Sequence, residues 1–159
     1  MQLQDKKTLN PTEFKYKIKT ASEEEIFSHL LSCDEKFVSQ LKERTELAKY
    51  SKKIFDKAVT FEAWCGNILV GLIAAYFNDT ECNSGYISNV SVISDYLKKG
   101  IAAELMKLSL KYALENKYKE ILLEVNESNH PAINLYRKFG FEIVNNLNSY
   151  ATMKLTLQA

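Results

Sequence analysis

The sequence predicts an α/β fold, with helices packed on a mixed sheet in the order β-α-α-β-β-β-α-β-α-β-β. Three observations carry this reading. Near Val59 the hydrophobic period changes from helical to strand-like. A β-branched run, GYISNVSVI (85–93), precedes a helical pattern from Gly100 to about Lys117, and a short apolar run, EILLEV (120–125), follows it. No Pro/Gly/Ser-rich linker, repeat or long charge block interrupts the chain, so residues 1–159 read as one domain.

The elements follow in order. Phe14 to Lys19 alternates apolar residues with lysine, as a strand does. Ser22 then offers an N-cap and Glu23–Glu25 an acidic first turn, with Ile26, Leu30 and Leu31 at helical spacing. A second helical stretch runs to about Phe55, with Phe37, Val38, Leu41, Tyr50 and Ile54 on its buried face. VTFEAW and ILVGLIAAYF read as two strands joined by a short turn at Gly66-Asn67, and NDTECNSG is a polar loop. In the 100–117 helix, Ile101, Leu105, Leu108 and Tyr112 recur at steps of four, three and four. Asn129 caps the next helix, Pro131 sits in its first turn, and Gly140 stops it. That helix buries Ala132, Leu135, Tyr136 and Phe139, and FEIV and YATMKLTL close the chain as strands.

Composition narrows the function classes. With 46% hydrophobic and 26% charged residues, and only 5 Gly and 2 Pro, the 159-residue chain is neither fibrous nor of low complexity. Its 9 Tyr and 8 Phe oppose disorder. The net charge is +1, from 21 basic and 20 acidic residues, and only Arg44 and Arg137 of the basic set are arginines. Such a chain has neither the field nor the guanidinium forks of a nucleic-acid reader. No apolar run suits a signal peptide or a membrane span, so no membrane partner is expected. Cys33, Cys65 and Cys82 form no CxxC or zinc spacing and read as reduced thiols of a cytoplasmic protein. His29 and Cys33 stand four apart on a helix, but with no second pair no metal is expected. Ser91 has no His/Asp partner motif, which excludes a serine hydrolase.

The chemistry concentrates between Asn89 and Phe141. In its first half a strand (NVSVI) leads through a short loop into LKKGIA at a helix start. A helix N-terminus presents unpaired N–H groups and partial positive charge, which suits phosphate. Gly100 permits close approach, Ala102 keeps the next turn small, and Lys98 and Lys99 add charge. Neither GxxxxGK[ST] nor GxGxxG is present. The second half is LEVNESNHPAINLYRKFGF (123–141).

Together the two halves resemble the GCN5-related N-acetyltransferase superfamily. The second half is similar to the L-E-V-R-x-x-N-x-x-A-I-x-L-Y-x-x-x-G-F signature of bacterial alanine N-acetyltransferases for ribosomal proteins. LKKGIA resembles the superfamily's Q/R-x-x-G-x-G/A pyrophosphate motif. The resemblance covers about residues 59–157 and implies acetyl-CoA as co-substrate, bound by residues 86–141, with the 22–55 helices on the acceptor side. It implies that Val90, Ser91 and Val92 line the pantetheine arm with their main chain. Lys98, Lys99, Gly100, Ile101, Ala102 and Ala103 would cradle the pyrophosphate, and Asn129 would contact acetyl-CoA. It implies Tyr136 as the general acid beside the sulfur and Glu124 as the general base. Pairing of subunits through the late strands, giving a homodimer, is a further implication.

Two positions depart from the signatures. Leu97 replaces Gln or Arg, and Asn126 replaces the arginine after Glu-Val, which argues against a protein N-terminus as acceptor. The chemistry agrees with the assigned roles. A primary amine with a pKa near 10.4 must lose a proton before it attacks a thioester. A carboxylate in an apolar strand, its pKa raised by desolvation, suits that task. The expectation is therefore direct acetyl transfer in a ternary complex to a small-molecule primary amine. Its pocket is expected between the N-terminal helices, the strands near Glu62 and Trp64, and the 78–85 loop. Acetylation of a protein N-terminus is the alternative within enzymes, and a non-catalytic acyl-CoA-binding module is the alternative outside them.

Overall fold

Residues 13–33 and 41–157 are described by a computed structural model, with the backbone alone at 41 and 42. Val59–Cys65 (β2), Ile68–Asp79 (β3) and Ser84–Val92 (β4) form the centre of the sheet. Their aliphatic and β-branched side chains suit a pleated surface buried on both sides. Lys15–Ile18 (β1) precedes helices Glu23–Cys33 (α1) and Leu41–Lys57 (α2). After β4 come helix Ile101–Glu115 (α3), Glu120–Asn126 (β5), helix His130–Lys138 (α4), Glu142–Leu147 (β6) and Tyr150–Thr156 (β7). The order of elements is the expected one. Phe37 and Val38 of the second helical stretch lie outside the described residues, as does the Leu41 side chain.

The seven strands lie in the order β1-β2-β3-β4-β5-β7-β6, and only β4 and β5 run parallel. Helices α3 and α4 cover one face over a core that includes Phe61, Ile73, Leu105, Met106 and Met153. Helices α1 and α2 cover the other over Ile26, Leu30, Ile54 and Leu72. Each such side chain contributes about 1.5–3 kcal/mol on burial. Gly71 lets α3 approach β3, since a Cβ there would stand 2.7 Å from Ile101 Cγ2. No helix among the described residues is long and apolar enough to cross a membrane.

Local chemistry fixes the helix ends. Ser22 Oγ accepts from Glu25 N at 3.1 Å while Glu25 Oε1 accepts from Ser22 N at 2.9 Å, a reciprocal capping box. Asn129 Oδ1 accepts from Ala132 N at 3.3 Å, so the expected cap of α4 forms. Gly100 precedes α3 as its N-cap, with φ 81°, and does not belong to the helix itself. The buried face of α3 is Ile101, Leu105, Met106, Ser109 and Ala113, while Leu108 and Tyr112 are half-buried. In α4, Ile133 joins Tyr136 as the buried pair, and Ala132, Leu135 and Phe139 pack at the edge of the core. Both stripes are rotated from those expected because each helix meets the sheet at an angle that spacing alone does not encode.

The pairing of β4 with β5 is short. It runs from Ser84↔Glu120 to Ile87↔Leu123 and stops there, although β4 continues to Val92 and β5 to Asn126. At the same level the β3–β4 register slips: Ala75 faces Ile87 and Ala74 faces Asn89, leaving Ser88 as a bulge. A bulge bends its strand and increases its twist. From Ser88 onward β4 keeps its partner on β3 and parts from β5, opening a cleft in the middle of the sheet.

Candidate active site

The cleft collects most of the residues that the sequence singles out. Val90, Ser91 and Val92 lie on the part of β4 that β5 does not pair, so one edge of that backbone is free to bind an extended ligand. Val90 and Val92 pack against the α3/α4 core, and Ser91 points the other way, to α1.

Beyond β4 the chain turns through Ser94–Tyr96 into α3. Lys98 (φ 65°) and Gly100 (φ 81°) both take left-handed backbone here, and no side chain caps the helix start. The first-turn N–H groups, Ile101 to Ala103, therefore have no side-chain cap, the condition under which a helix start can take an anion. A groove of about 430 Å³ runs over this turn. It brings Lys98, Gly100, Ile101, Ala102 and Ala103 together with Pro131, Leu135 and Lys138 of α4. Lys99 does not line it. Lys138 is a cation that the sequence reading missed; only its place three residues before Phe141 on the groove side of α4 reveals it. Leu97 lines the mouth and is 53% exposed, and the cations that line the groove are Lys98 and Lys138. The site's donor set, uncapped N–H groups with Lys98 and Lys138, fits a pyrophosphate.

Tyr136 and Glu124 stand on opposite faces of the sheet. Tyr136 is buried in the α3/α4 core with its ring 5.9 Å from Phe141, and burial pushes its hydroxyl up to about 12. Glu124 alternates with the buried Leu123 and Val125, so it projects to the α1/α2 face, where it is exposed. The apolar surroundings expected for it are absent. Asn129 is exposed and its side chain is taken up in the helix cap. Asn126 Oδ1 accepts from Ser128 N at 2.9 Å and from Ser128 Oγ at 2.7 Å. It shapes the β5–α4 turn.

A second residue accompanies Glu124. Tyr86 pairs with Leu122, two residues before Glu124, so its side chain shares that face at the end of the β4–β5 pairing. Its hydroxyl is raised first by burial, then by the Glu124 charge and by Tyr50. The sequence signal was available as a tyrosine at the start of the β-branched run, but only the register places it beside Glu124.

The expected acceptor surface needs correction. Glu62 is fully buried; its carboxylate accepts from Thr20 N, Ala21 N, Thr20 Oγ1, Thr60 Oγ1 and Trp64 Nε1, all within 3.1 Å. It fastens the β1–α1 connection and offers nothing to a ligand, and Trp64 is buried beside it. The 78–85 segment lies at the closed end, where Ser84 meets Glu120. The strands part at the other end of the pairing, beyond Ile87 and Leu123.

Those helices hold β4 through side chains. Tyr50 Oη donates to the Ser88 carbonyl at 3.1 Å and lies 2.5 Å from Ser88 Oγ. His29, 2% exposed, has Nδ1 2.9 Å from the Leu69 carbonyl and Nε2 2.9 Å from Ser91 Oγ. Burial lowers its pKa to about 4, so it is neutral. Ser91 thus has a histidine partner that no motif revealed, because 62 residues separate the two. The third member is a backbone carbonyl and not a carboxylate. Among the described residues no three His, Cys, Asp or Glu side chains gather as a metal site.

The sheet order, the parted central strands and the phosphate-type turn define a class. Residues 24–141 match the model of the Acetyltransferase (GNAT) family, and the chain belongs to that family. It is 43% identical over 68 residues to an N-alpha-acetyltransferase of Saccharolobus solfataricus, covering 42% of this chain and 40% of that protein. It is 32% identical over 94 residues to N-alpha-acetyltransferase 30 of Dictyostelium discoideum, covering 58% and 51%. The match thus spans about half the length of these relatives or less. Among solved structures, PH1933 from Pyrococcus horikoshii superposes with a TM-score of 0.75 at 27% identity, over 91% of this chain and 100% of that one.

Proposed function

We propose that the protein transfers an acetyl group from acetyl-CoA to the α-amino group of a protein N-terminus. The observation that carries this reading is the name shared by its archaeal and eukaryotic relatives, both N-alpha-acetyltransferases. It is preferred to the small-molecule amine expected from sequence because of those relatives.

In this reading Lys98, Lys138 and the first turn of α3 hold the pyrophosphate, and the free edge of β4 lines the pantetheine arm. Acetyl-CoA supplies the activated acyl group. The acceptor amine enters from the α1/α2 side, past Glu124 and Tyr86. An α-amino group, with a pKa near 7.7–8.0, is roughly a tenth neutral at pH 7, so that fraction attacks without prior deprotonation and the carboxylate takes the proton that the nitrogen sheds as the C–N bond forms. In this reading the Tyr136 hydroxyl, raised to about 12 by burial, donates to the departing sulfur and stands as its general acid.

Release of free CoA thiol with peptides of defined N-terminus, compared with amino sugars and polyamines, tests the reading. Peptide-dependent release with acetylation on the α-nitrogen is expected. Release with small amines alone restores the small-molecule reading, and acetyl-CoA binding with no release at all leaves a binding module.

A further inference from the structure

From Ser88 to Val92, β4 has lost its β5 partner, and what keeps that segment in place on the α1/α2 face is one side chain from each helix. The α1 contact can be resolved atom by atom. The Leu69 carbonyl only accepts, so the single proton of the neutral His29 ring sits on Nδ1. Nε2 then carries a lone pair and accepts the Ser91 hydroxyl hydrogen. Asn89 Oδ1 lies 2.7 Å from Ser91 Oγ; with the hydroxyl hydrogen committed to Nε2, a half-turn of that amide, which exchanges its oxygen and nitrogen, lets its NH₂ donate to Ser91 Oγ. Cys33 Sγ, 3.6 Å from Nε2, is the other neighbour on the same helix. The chain Leu69 carbonyl–His29–Ser91–Asn89 therefore ties β3, α1 and two residues of the parted segment together.

Resting on the acyl-transfer reading above, we propose that His29 is a positioning residue: by accepting from Ser91 it fixes the free edge of β4 in the geometry that the transferred acyl group requires. His29 touches no reactant. Its effect passes through the β4 main chain, so it belongs to the rate of the step more than to the affinity for acetyl-CoA. Helix α1, expected only to shape the acceptor side, thereby braces the strand that meets the donor.

The two ring nitrogens can be replaced separately. Gln at position 29 places its amide near Nε2 and keeps an acceptor for Ser91; Asn places it near Nδ1 and does not. In the full-length chain, His29→Asn and Ser91→Ala are each expected to lower kcat about tenfold, with KM for acetyl-CoA changed less than about threefold. The double variant should be no worse than either single one, and His29→Gln should recover most of the lost rate. Hydrogen exchange of segment 88–92 should rise in His29→Asn and Ser91→Ala and fall back in His29→Gln. A His29→Gln variant as slow as His29→Asn overturns the proposal, and so does Ser91→Ala with wild-type kcat and exchange. Ser91→Ala decides the matter if the position-29 variants do not fold. If the wild-type chain releases no thiol with any acceptor, the acyl-transfer reading falls by itself. The exchange of segment 88–92 then still tests the brace, and unaltered exchange in both single variants overturns it.

Discussion

Glu62 and Trp64, two residues apart on β2, point to the same face, and the indole N–H donates to the buried carboxylate at 3.1 Å. Four further donors converge on that carboxylate, two of them the backbone N–H groups of Thr20 and Ala21. Replacement by Gln turns one acceptor atom into a donor facing other donors. Glu62→Gln should therefore cost about 3 kcal/mol of stability, read from denaturant unfolding at constant m-value. A loss within experimental error would mean that the β1–α1 connection is held by other contacts.

His29 makes folding pH-dependent. Its pKa falls from 6.5 unfolded to about 4 folded, so between these values the unfolded chain binds more protons. Stability is fully present above about pH 6.5 and falls by about 3 kcal/mol as the pH drops to about 4. His29→Gln, which cannot titrate, should flatten that part of the stability–pH curve. A slope equal to the wild type's would place its origin in the carboxylates.

At Tyr136 the expected result is a split between rate and affinity. Tyr136→Phe removes the hydroxyl and keeps the ring against Phe141, so turnover should fall about 10–100-fold while acetyl-CoA affinity by calorimetry stays within about twofold. Undiminished turnover removes the hydroxyl from the chemistry.

Glu124 and Tyr86 share one face, and their separate removal tells base from neighbour. Glu124→Gln should lower turnover and reshape its rise with pH, because the proton acceptor is gone. Tyr86→Phe keeps the carboxylate and should change the rate less, with the acceptor KM as the more sensitive quantity. A pH–rate profile for Glu124→Gln equal to the wild type's in shape and height would locate the base elsewhere.

Charge reversal in the groove should act on the donor alone. Lys138→Glu and Lys98→Glu are each expected to raise KM for acetyl-CoA about tenfold, with an effect that shrinks as salt rises, and to leave acceptor KM unmoved. Equal effects on both substrates would place the groove on the acceptor path.

Much of this was legible in the chain. Element order, the Ser22 and Asn129 caps and the phosphate-type turn each depend on residues within a few positions of one another. So do the motif residues Tyr136 and Glu124, although not their surroundings. What escaped depends on contacts distant in sequence. The His29–Ser91 bond joins two elements across 62 residues, and the Glu62 anchor joins a loop to a strand across about 40. Glu62 was legible as an acid on an apolar strand, which suggests a ligand site until its five internal donors are known. The exposure of Glu124 follows from which way β5 faces, a property of the whole sheet. The bulge at Ser88, which decides where the cleft opens, leaves no mark in the residue types around it.

Four paired positions, Ser84–Glu120 to Ile87–Leu123, and the adjoining bond from Lys119 N–H to the Asn83 carbonyl join β1–β4 to the three-stranded β5–β7 unit. A ligand lying across the gap beyond that seam would bridge the two parts of the sheet. At a hundredfold excess over its dissociation constant, a donor that binds the folded state alone adds about 2.7 kcal/mol to the folding free energy. The melting temperature of this chain is therefore expected to rise with acetyl-CoA concentration, a measurement that needs no acceptor.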